Sequence, residues 1–167
     1  MNLKVLKNMF KYNKDTENID FEFYQSIDIL CNLTKSEIMK LNDLFIYKKY
    51  KRGETIFREN HPNPVFYIIK SGKVRLFINL PYEEVTVNDL GAKKHFGEIG
   101  IFLETNRITS AVTLEDSELI AVKKSDIKQF IKSNPGTGIK LLYNLGKTIS
   151  NDLVQVLNNI KQHDNRH

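Results

Sequence analysis

Short segments rich in β-branched and aromatic residues run through the middle of the sequence and constrain the fold more than any other feature. They lie at residues 50–57, 64–70, 73–79 and 84–88, and 111–113 and 119–122 continue the series. Turn-forming residues separate them, as at Ser71-Gly72. Short strands at this spacing are typical of an antiparallel roll or barrel. The sequence therefore predicts a mainly β fold of the α+β class, an antiparallel, jelly-roll-like β-roll.

Helical patterns lie on both sides of these strands. Before them, apolar residues at helical spacing run from Phe23 to Leu30, and Thr34 with Glu37 has the order of a capping box. After them, residues 125–131 read as a short helix, punctuated by Pro135-Gly136. We therefore expect N-terminal helices before the roll and further helix after it.

The last helical pattern is the longest. Its apolar residues recur at spacings of three and four: Leu142, Leu145, Ile149, Leu153, Val156 and Ile160. This spacing predicts a long amphipathic C-terminal helix, one face of which must be covered. The stripe is close to a short coiled-coil seam, which favours a homodimer formed through this helix. Packing of the helix on its own roll is the alternative.

A carboxylate and an arginine flank a short apolar run between Phe96 and Thr113. Gly97 permits close backbone approach, and a helical turn starting at Glu98 would offer N–H groups to an anion. The Glu98 carboxylate can accept hydrogen bonds from a sugar diol, while the planar Arg107 guanidinium matches phosphate oxygens. The pattern suits a small sugar phosphate. In the alternative reading, Glu98 caps a helix and forms an ordinary salt bridge with Arg107.

This stretch resembles the phosphate-binding cassette of cyclic-nucleotide-binding domains, whose common form is Phe-Gly-Glu, an aliphatic pair, a short turn, then Pro-Arg-Ala-Ala-Thr/Ser-Val. Here the run is Phe96-Gly97-Glu98-Ile99 and Asn106-Arg107-Ile108-Thr109-Ser110-Ala111-Val112. It aligns without a gap to the cassette of the cAMP-dependent kinase regulatory subunits. The likeness covers most of residues 23–160 and implies a non-catalytic cyclic-nucleotide receptor that transmits binding to its C-terminal helix.

The resemblance also implies roles for single residues. Glu98 would bind the ribose 2′-hydroxyl and Arg107 the cyclic phosphate, with backbone N–H groups from neighbouring positions. The implied ligand site consists of Gly97, Glu98, Ile99, Arg107, Ile108 and Thr109. In the family the C-terminal helix pairs with its twin and lies over the base. Residues chemically able to contact the base are Tyr143, Asn144, Thr148 and Asn151, and the sequence does not choose among them.

Two positions depart from the family pattern. Asn106 replaces the usual Pro, which lowers the rigidity of the turn. Ile108 replaces a small or hydroxylated residue, so its side chain can neither bond a phosphate nor meet a guanine amino group. This favours cAMP over cGMP as the ligand, or a weakened site. A ligand-free dimerisation or docking module that keeps the cassette for its shape is the alternative function.

The composition and motifs of the sequence exclude several kinds of site. Cys31 is the only cysteine, which excludes an internal disulfide and any multi-cysteine metal site, and the histidines lack metal-ligand spacing. We therefore expect no metal. The sequence carries no P-loop spacing and no evident nucleophile and base pair, so we expect no enzyme.

The formal charge of +5 is scattered along the chain, and its apolar runs are far shorter than a membrane span. No helix-turn-helix pattern follows the C-terminal helix. We expect a cytoplasmic protein with no membrane contact, no direct DNA binding and an effector protein as its partner. A fragment or partner of a catabolite-activator-type transcription regulator is a further alternative.

These patterns divide the chain into three predicted segments. Residues 1–20 form a helical or flexible extension, and residues 21–134 form the cyclic-nucleotide-binding roll with its flanking short helices. Residues 135–167 form the lid or dimerisation helix and a polar tail.

Overall fold

The computed structural model describes residues 20–164, without the side chains of residues 159, 160 and 162–164. The predicted extension at residues 1–19, the end of the tail and the side chain of Ile160 lie outside that range. Within it, no helix is both long and apolar enough to span a bilayer.

Two antiparallel four-stranded sheets form the roll. The strands are β1 (Ile46–Tyr50), β2 (Thr55–Phe57), β3 (Val65–Ser71), β4 (Val74–Asn79), β5 (Glu84–Leu90), β6 (His95–Phe96), β7 (Ser110–Thr113) and β8 (Ser117–Lys123). One sheet has the order β1-β8-β3-β6 and the other the order β2-β7-β4-β5. The predicted antiparallel β-roll is confirmed.

The predicted single strand at residues 50–57 is wrong, because the structure divides it between the sheets. β1 pairs with β8 and β2 pairs with β7. The chain crosses from one sheet to the other in a turn around Gly53, which has a φ of 81° and whose N–H donates to the Thr113 carbonyl at 2.8 Å. A left-handed φ favours glycine, so the break occurs where the sequence supplies one.

Helices flank the strands as predicted. They are α1 (Phe21–Gln25), α2 (Lys35–Asn42), α3 (Ile99–Phe102), α4 (Lys124–Ser133) and α5 (Pro135–Asp164). The capping box at the start of α2 is present, with the Thr34 N–H donating to Glu37 Oε2 at 2.7 Å. α1 is shorter than predicted because turns replace helix after Gln25, yet Ile27 remains fully buried.

Two apolar clusters hold these elements together. One lies inside the roll and includes Tyr67, Phe96 and Leu119. The other joins the β1-β8-β3-β6 sheet to the helices and includes Ile120 and Leu145. The second cluster is what fixes the helices on the roll.

The first half of α5 docks on α2 and on the turns between α1 and α2. Leu141 and Leu145 are buried, and the Asn144 amide donates to the Ile29 carbonyl at 3.2 Å and to Asn32 Oδ1 at 2.8 Å. Lys140 pairs with Glu37 at 3.0 Å. These polar bonds fix the rotation of α5 about its axis.

The described side chains in the second half of α5, from residue 150 to residue 158, are exposed. Leu142 and Ile149 of the predicted apolar stripe are half-buried, but Leu153 and Val156 are 58% and 54% exposed. The roll of the same chain therefore covers only the beginning of the stripe.

Candidate functional site

Gly97 links β6 to α3 in a conformation that only glycine adopts readily. Its φ is 83°, in the left-handed region. A Cβ at this position would collide with the Arg107 guanidinium and would lie 3.1 Å from the Val65 carbonyl oxygen. The missing side chain therefore makes the space that the guanidinium occupies.

The backbone of Arg107 is fixed by the loop between β2 and β3. Its N–H donates to the His61 carbonyl at 2.8 Å, and its own carbonyl accepts the Asn60 N–H at 2.8 Å. The side chain turns into the roll, so Arg107 is only 4% exposed.

Aromatic rings and one carbonyl surround the guanidinium. Its Nη2 donates to the Val65 carbonyl at 2.5 Å, and its Cζ lies 3.8 Å from the centroid of the Phe57 ring and 5.8 Å from that of Tyr67. The two ring contacts are cation–π interactions, and the exclusion of water strengthens them.

Two donors of Arg107 are left over. Nε and Nη1 are both buried and have no hydrogen-bond partner among the described residues. A buried donor without an acceptor typically costs about 1–3 kcal/mol. Burial lowers the pKa of Arg107 to about 10, against the opposing charges of Tyr67 and Glu98, so the group remains a cation at neutral pH. The side chain is thus a buried cation with unused donors.

Glu98 lies at the start of α3, half-buried, and its side chain does not cap that helix. Burial raises the pKa of its carboxyl and the charge of Asp152 adds to the rise, whereas its own N–H and the charge of Arg107 lower it. In the part of the chain that the structure describes, no ion pair within 4.0 Å joins Glu98 to Arg107. The structure therefore does not support the alternative of a capping, ion-paired glutamate.

The structure brings three of the predicted site residues together, namely Gly97, Glu98 and Arg107. Ile99 begins α3 and is half-buried, as is Thr109 just before β7. The Ile108 side chain is 54% exposed. Their roles in holding a ligand stay predictions.

Sequence reasoning missed the aromatic wall and the carbonyl that hold Arg107. Phe57, Val65 and Tyr67 come from β2 and β3, which lie in different sheets. Their aromatic and β-branched character signalled strands, but nothing in the sequence indicated which strand faces would meet Arg107.

The structure distinguishes the four residues of α5 that could contact a base. Asn144 is buried and its amide bonds the turns between α1 and α2, so its role is structural. The Thr148 hydroxyl donates to the Asn144 carbonyl at 3.1 Å. Tyr143 is 71% exposed, and Asn151 is exposed as well. The helix residue whose charge acts on Glu98 is Asp152, which the sequence did not single out.

Within residues 20–164, no group of three or more His, Cys, Asp or Glu side chains is arranged to hold a metal ion. The site consists of a buried guanidinium, a partly buried carboxylate and a glycine turn. Such a set can bind an anion that also carries hydroxyl groups.

Comparison with known proteins gives a consistent result. A family model described as the cyclic nucleotide-binding domain matches residues 47–134. The cyclic AMP receptor protein of Thermus thermophilus is 35% identical over 104 residues, which are 62% of this chain and 48% of that protein. The cAMP-dependent protein kinase type II regulatory subunit of Drosophila melanogaster is 29% identical over 126 residues, 75% of this chain and 32% of that protein.

A solved structure agrees in fold. The catabolite activator protein of Thermus thermophilus superposes with a TM-score of 0.72 at 28% identity, covering 82% of this chain and 63% of that one. The chain spans about half the length of the first relative and about a third of the second.

Proposed function

This chain belongs to the cyclic nucleotide-binding domain family, and we propose that it is a non-catalytic receptor for a cyclic nucleotide, with cAMP preferred to cGMP. The observation that carries the proposal is the pair of buried, unpartnered donors on Arg107. A cyclic phosphate supplies the acceptors that Nε and Nη1 lack, and hydrogen bonds from a guanidinium to an anion are among the strong ones.

Glu98 supports the sugar half of the proposal. The charge of the Glu98 carboxylate raises the pKa of Arg107, and the carboxylate is partly buried. A ribose 2′-hydroxyl donating to this carboxylate would recover part of the solvation that burial removed. The geometry therefore fits a ligand in which a hydroxyl and a phosphate lie on one small ring system.

Binding on this proposal requires movement, because Nε and Nη1 of Arg107 are shielded from solvent. A phosphate reaches them only if the turn from Gly97 to α3 shifts away from the guanidinium. The charge of Asp152 on α5 contributes to the raised pKa of Glu98. A shift of this turn would therefore change its electrostatic interaction with the C-terminal helix. A coupling of about 1–3 kcal/mol would suffice for such a switch.

Ile108 supports the preference for cAMP. Its side chain offers no hydroxyl to a guanine amino group, so the feature that would favour cGMP at this position is missing. The adenine of cAMP makes no such demand.

Calorimetric titration tests the receptor proposal. We expect cAMP to bind more tightly than cGMP, and Arg107→Ala to weaken cAMP binding by about 2–5 kcal/mol, since one partner of a desolvated charge pair is removed. Arg52→Ala is the matched control because Arg52 is exposed and only its backbone N–H bonds Asp116. Absence of heat with both nucleotides, or equal affinities of the two variants, contradicts the proposal.

A ligand-free docking module is the second candidate. The observation in its favour is that the Val65 carbonyl and the Phe57 ring already hold the guanidinium. The two candidates differ in thermal unfolding, because a ligand that binds only the folded state raises the melting temperature by mass action. A docking module would melt at one temperature whether cAMP, cGMP or neither was added.

We also propose that the exposed half of α5 forms a homodimer. Leu153 and Val156 continue the stripe of Leu142 and Ile149, so a second copy of the helix would cover one continuous apolar seam. We expect Leu153→Glu to sediment as a monomer in analytical ultracentrifugation. Gln155→Glu carries the same added charge on a different face of α5 and should leave the dimer intact. A monomeric wild type, or a dimeric Leu153→Glu, would refute this interface.

A further inference from the structure

A cavity adjoins the Arg107 site and shares Val65 with it. It has a volume of about 760 Å³ and opens between the loop before β3, the middle of the cassette and the start of α4. Its lining includes Lys123, Lys124 and Lys128 but neither Glu98 nor Arg107. We call it the lysine cleft. Its size falls within the range of ligand sites in proteins.

One carboxylate bridges two of these lysines. Glu104 Oε2 lies 2.7 Å from Lys124 Nζ, and Glu104 Oε1 lies 2.8 Å from Lys128 Nζ. Lys124 is also held by a bond from its Nζ to the Leu103 carbonyl at 3.3 Å. The chain itself thus shows that this lysine pair binds a carboxylate.

The two partners differ in how firmly they are held. The Lys124 side chain is only 16% exposed, whereas that of Glu104 is 79% exposed. The lysine is therefore positioned by its surroundings, and the glutamate lies in solvent on a loop. An exposed ion pair contributes little to stability, so another carboxylate can replace Glu104 at low cost.

Lys124 and Lys128 share a single carboxylate, Glu104, so this group of three side chains carries a net positive charge that favours an occupant with negative charge. Pro62, Pro64 and Val65 add an apolar strip beside the lysines. Asn63, also in the lining, has a buried Oδ1 without a hydrogen-bond partner among the described residues, and a peptide N–H would satisfy it once the Asn63 side chain turned toward the cleft.

We infer that the lysine cleft binds an acidic peptide segment of a partner protein, with a partner carboxylate replacing Glu104 between Lys124 and Lys128. The lysines would recognise the acidic side chains, the proline strip their neighbours, and Asn63 the backbone. The cleft shares Val65 with the Arg107 site, since the Val65 carbonyl accepts from Arg107 Nη2. The inference still does not depend on nucleotide binding, because Lys124 and Lys128 would hold the partner carboxylate.

Fluorescence anisotropy with labelled hexaglutamate tests the inference, with labelled hexaglutamine as the neutral probe. We expect the folded chain to bind hexaglutamate only. Glu104→Gln should tighten binding by about three- to tenfold, because it removes the carboxylate of the same chain that competes with the peptide for Lys124 and Lys128. A purely structural role for Glu104 would instead leave binding unchanged or weaken it.

The charge control is a pair of lysines outside the cleft. The double variant Lys124→Gln/Lys128→Gln should abolish measurable binding, while Lys48→Gln/Lys49→Gln, which removes the same charge from two exposed positions of β1, should retain it. Equal losses in the two double variants, or equal binding of both probes, would overturn the inference. Inorganic phosphate competing at the same concentration as hexaglutamate would overturn the assignment of a peptide, and melting curves confirm that each variant is folded.

Discussion

Two neighbouring regions hold their cations in opposite ways. Arg107 is buried, has two unpartnered donors, and has no carboxylate within 4.0 Å among the described residues. In the lysine cleft, Lys124 and Lys128 share Glu104, whose side chain is largely in solvent. Burial removes the water that would otherwise solvate the Arg107 guanidinium, so binding of an anion beside it is strongly favourable. Lys124 and Lys128 are already bound to the Glu104 carboxylate, which another carboxylate can replace.

The largest expected effect on stability comes from filling the space at Gly97. Gly97→Ala forces a Cβ into the guanidinium and strains a left-handed backbone, so we expect a loss of about 1–3 kcal/mol in the free energy of unfolding. Urea denaturation measures it. Gly53→Ala has nearly the same φ but open space, and Gly91→Ala has open space without that φ. If Gly97→Ala and Gly53→Ala lose equal stability, the contact with Arg107 has no energetic weight.

A smaller effect is expected from removing the buried charge itself. Arg107→Met keeps most of the volume, eliminates the two unpartnered donors and loses the bond to Val65. Replacing a buried ion by an apolar side chain is often neutral or stabilising, so unfolding without nucleotide should change by less than about 1 kcal/mol. The same variant should no longer bind cAMP in calorimetry. A large loss of stability would mean that Arg107 holds the fold rather than a ligand.

The smallest effects concern the two glutamates, which should respond to pH with opposite sign. The folded pKa of Glu98 is raised, so its ionised form is unfavourable to folding, and Glu98→Gln should raise the melting temperature at pH 7. That gain should vanish as pH falls below the unfolded pKa of about 4.3, where Glu98 is protonated in both states.

For Glu104 the sign is reversed. Lys124 and Lys128 lower the pKa of Glu104 to about 2, so its contribution to stability is present above its unfolded pKa and is lost as pH falls through about 2. Glu104→Gln should slightly lower the melting temperature at pH 7 and converge on the wild type in acid. Thermal melts across this pH range that show the same sign for both variants would contradict the contrast between buried and exposed charge.

Local signals predicted much of the fold and one part of the site. Segments rich in β-branched and aromatic residues predicted the strands, and Thr34 with Glu37 predicted the start of α2, because these signals act over a few neighbouring residues. The predicted strand at 50–57 was wrong because the turn around Gly53 divides this segment between two sheets. The register of Gly97, Glu98 and Arg107 was visible because the cassette is continuous in sequence.

The sequence by itself determined the antiparallel roll, its helices and the three residues that the cassette brings together. Only the tertiary structure decided that Arg107 turns inward onto Phe57 and Val65, that Asn144 bonds the turns between α1 and α2, and that Glu104 bridges two lysines of α4. Each of these contacts joins residues far apart in sequence. Their existence depends on how sheets and helices pack, whereas periodicity reports only which residues are buried.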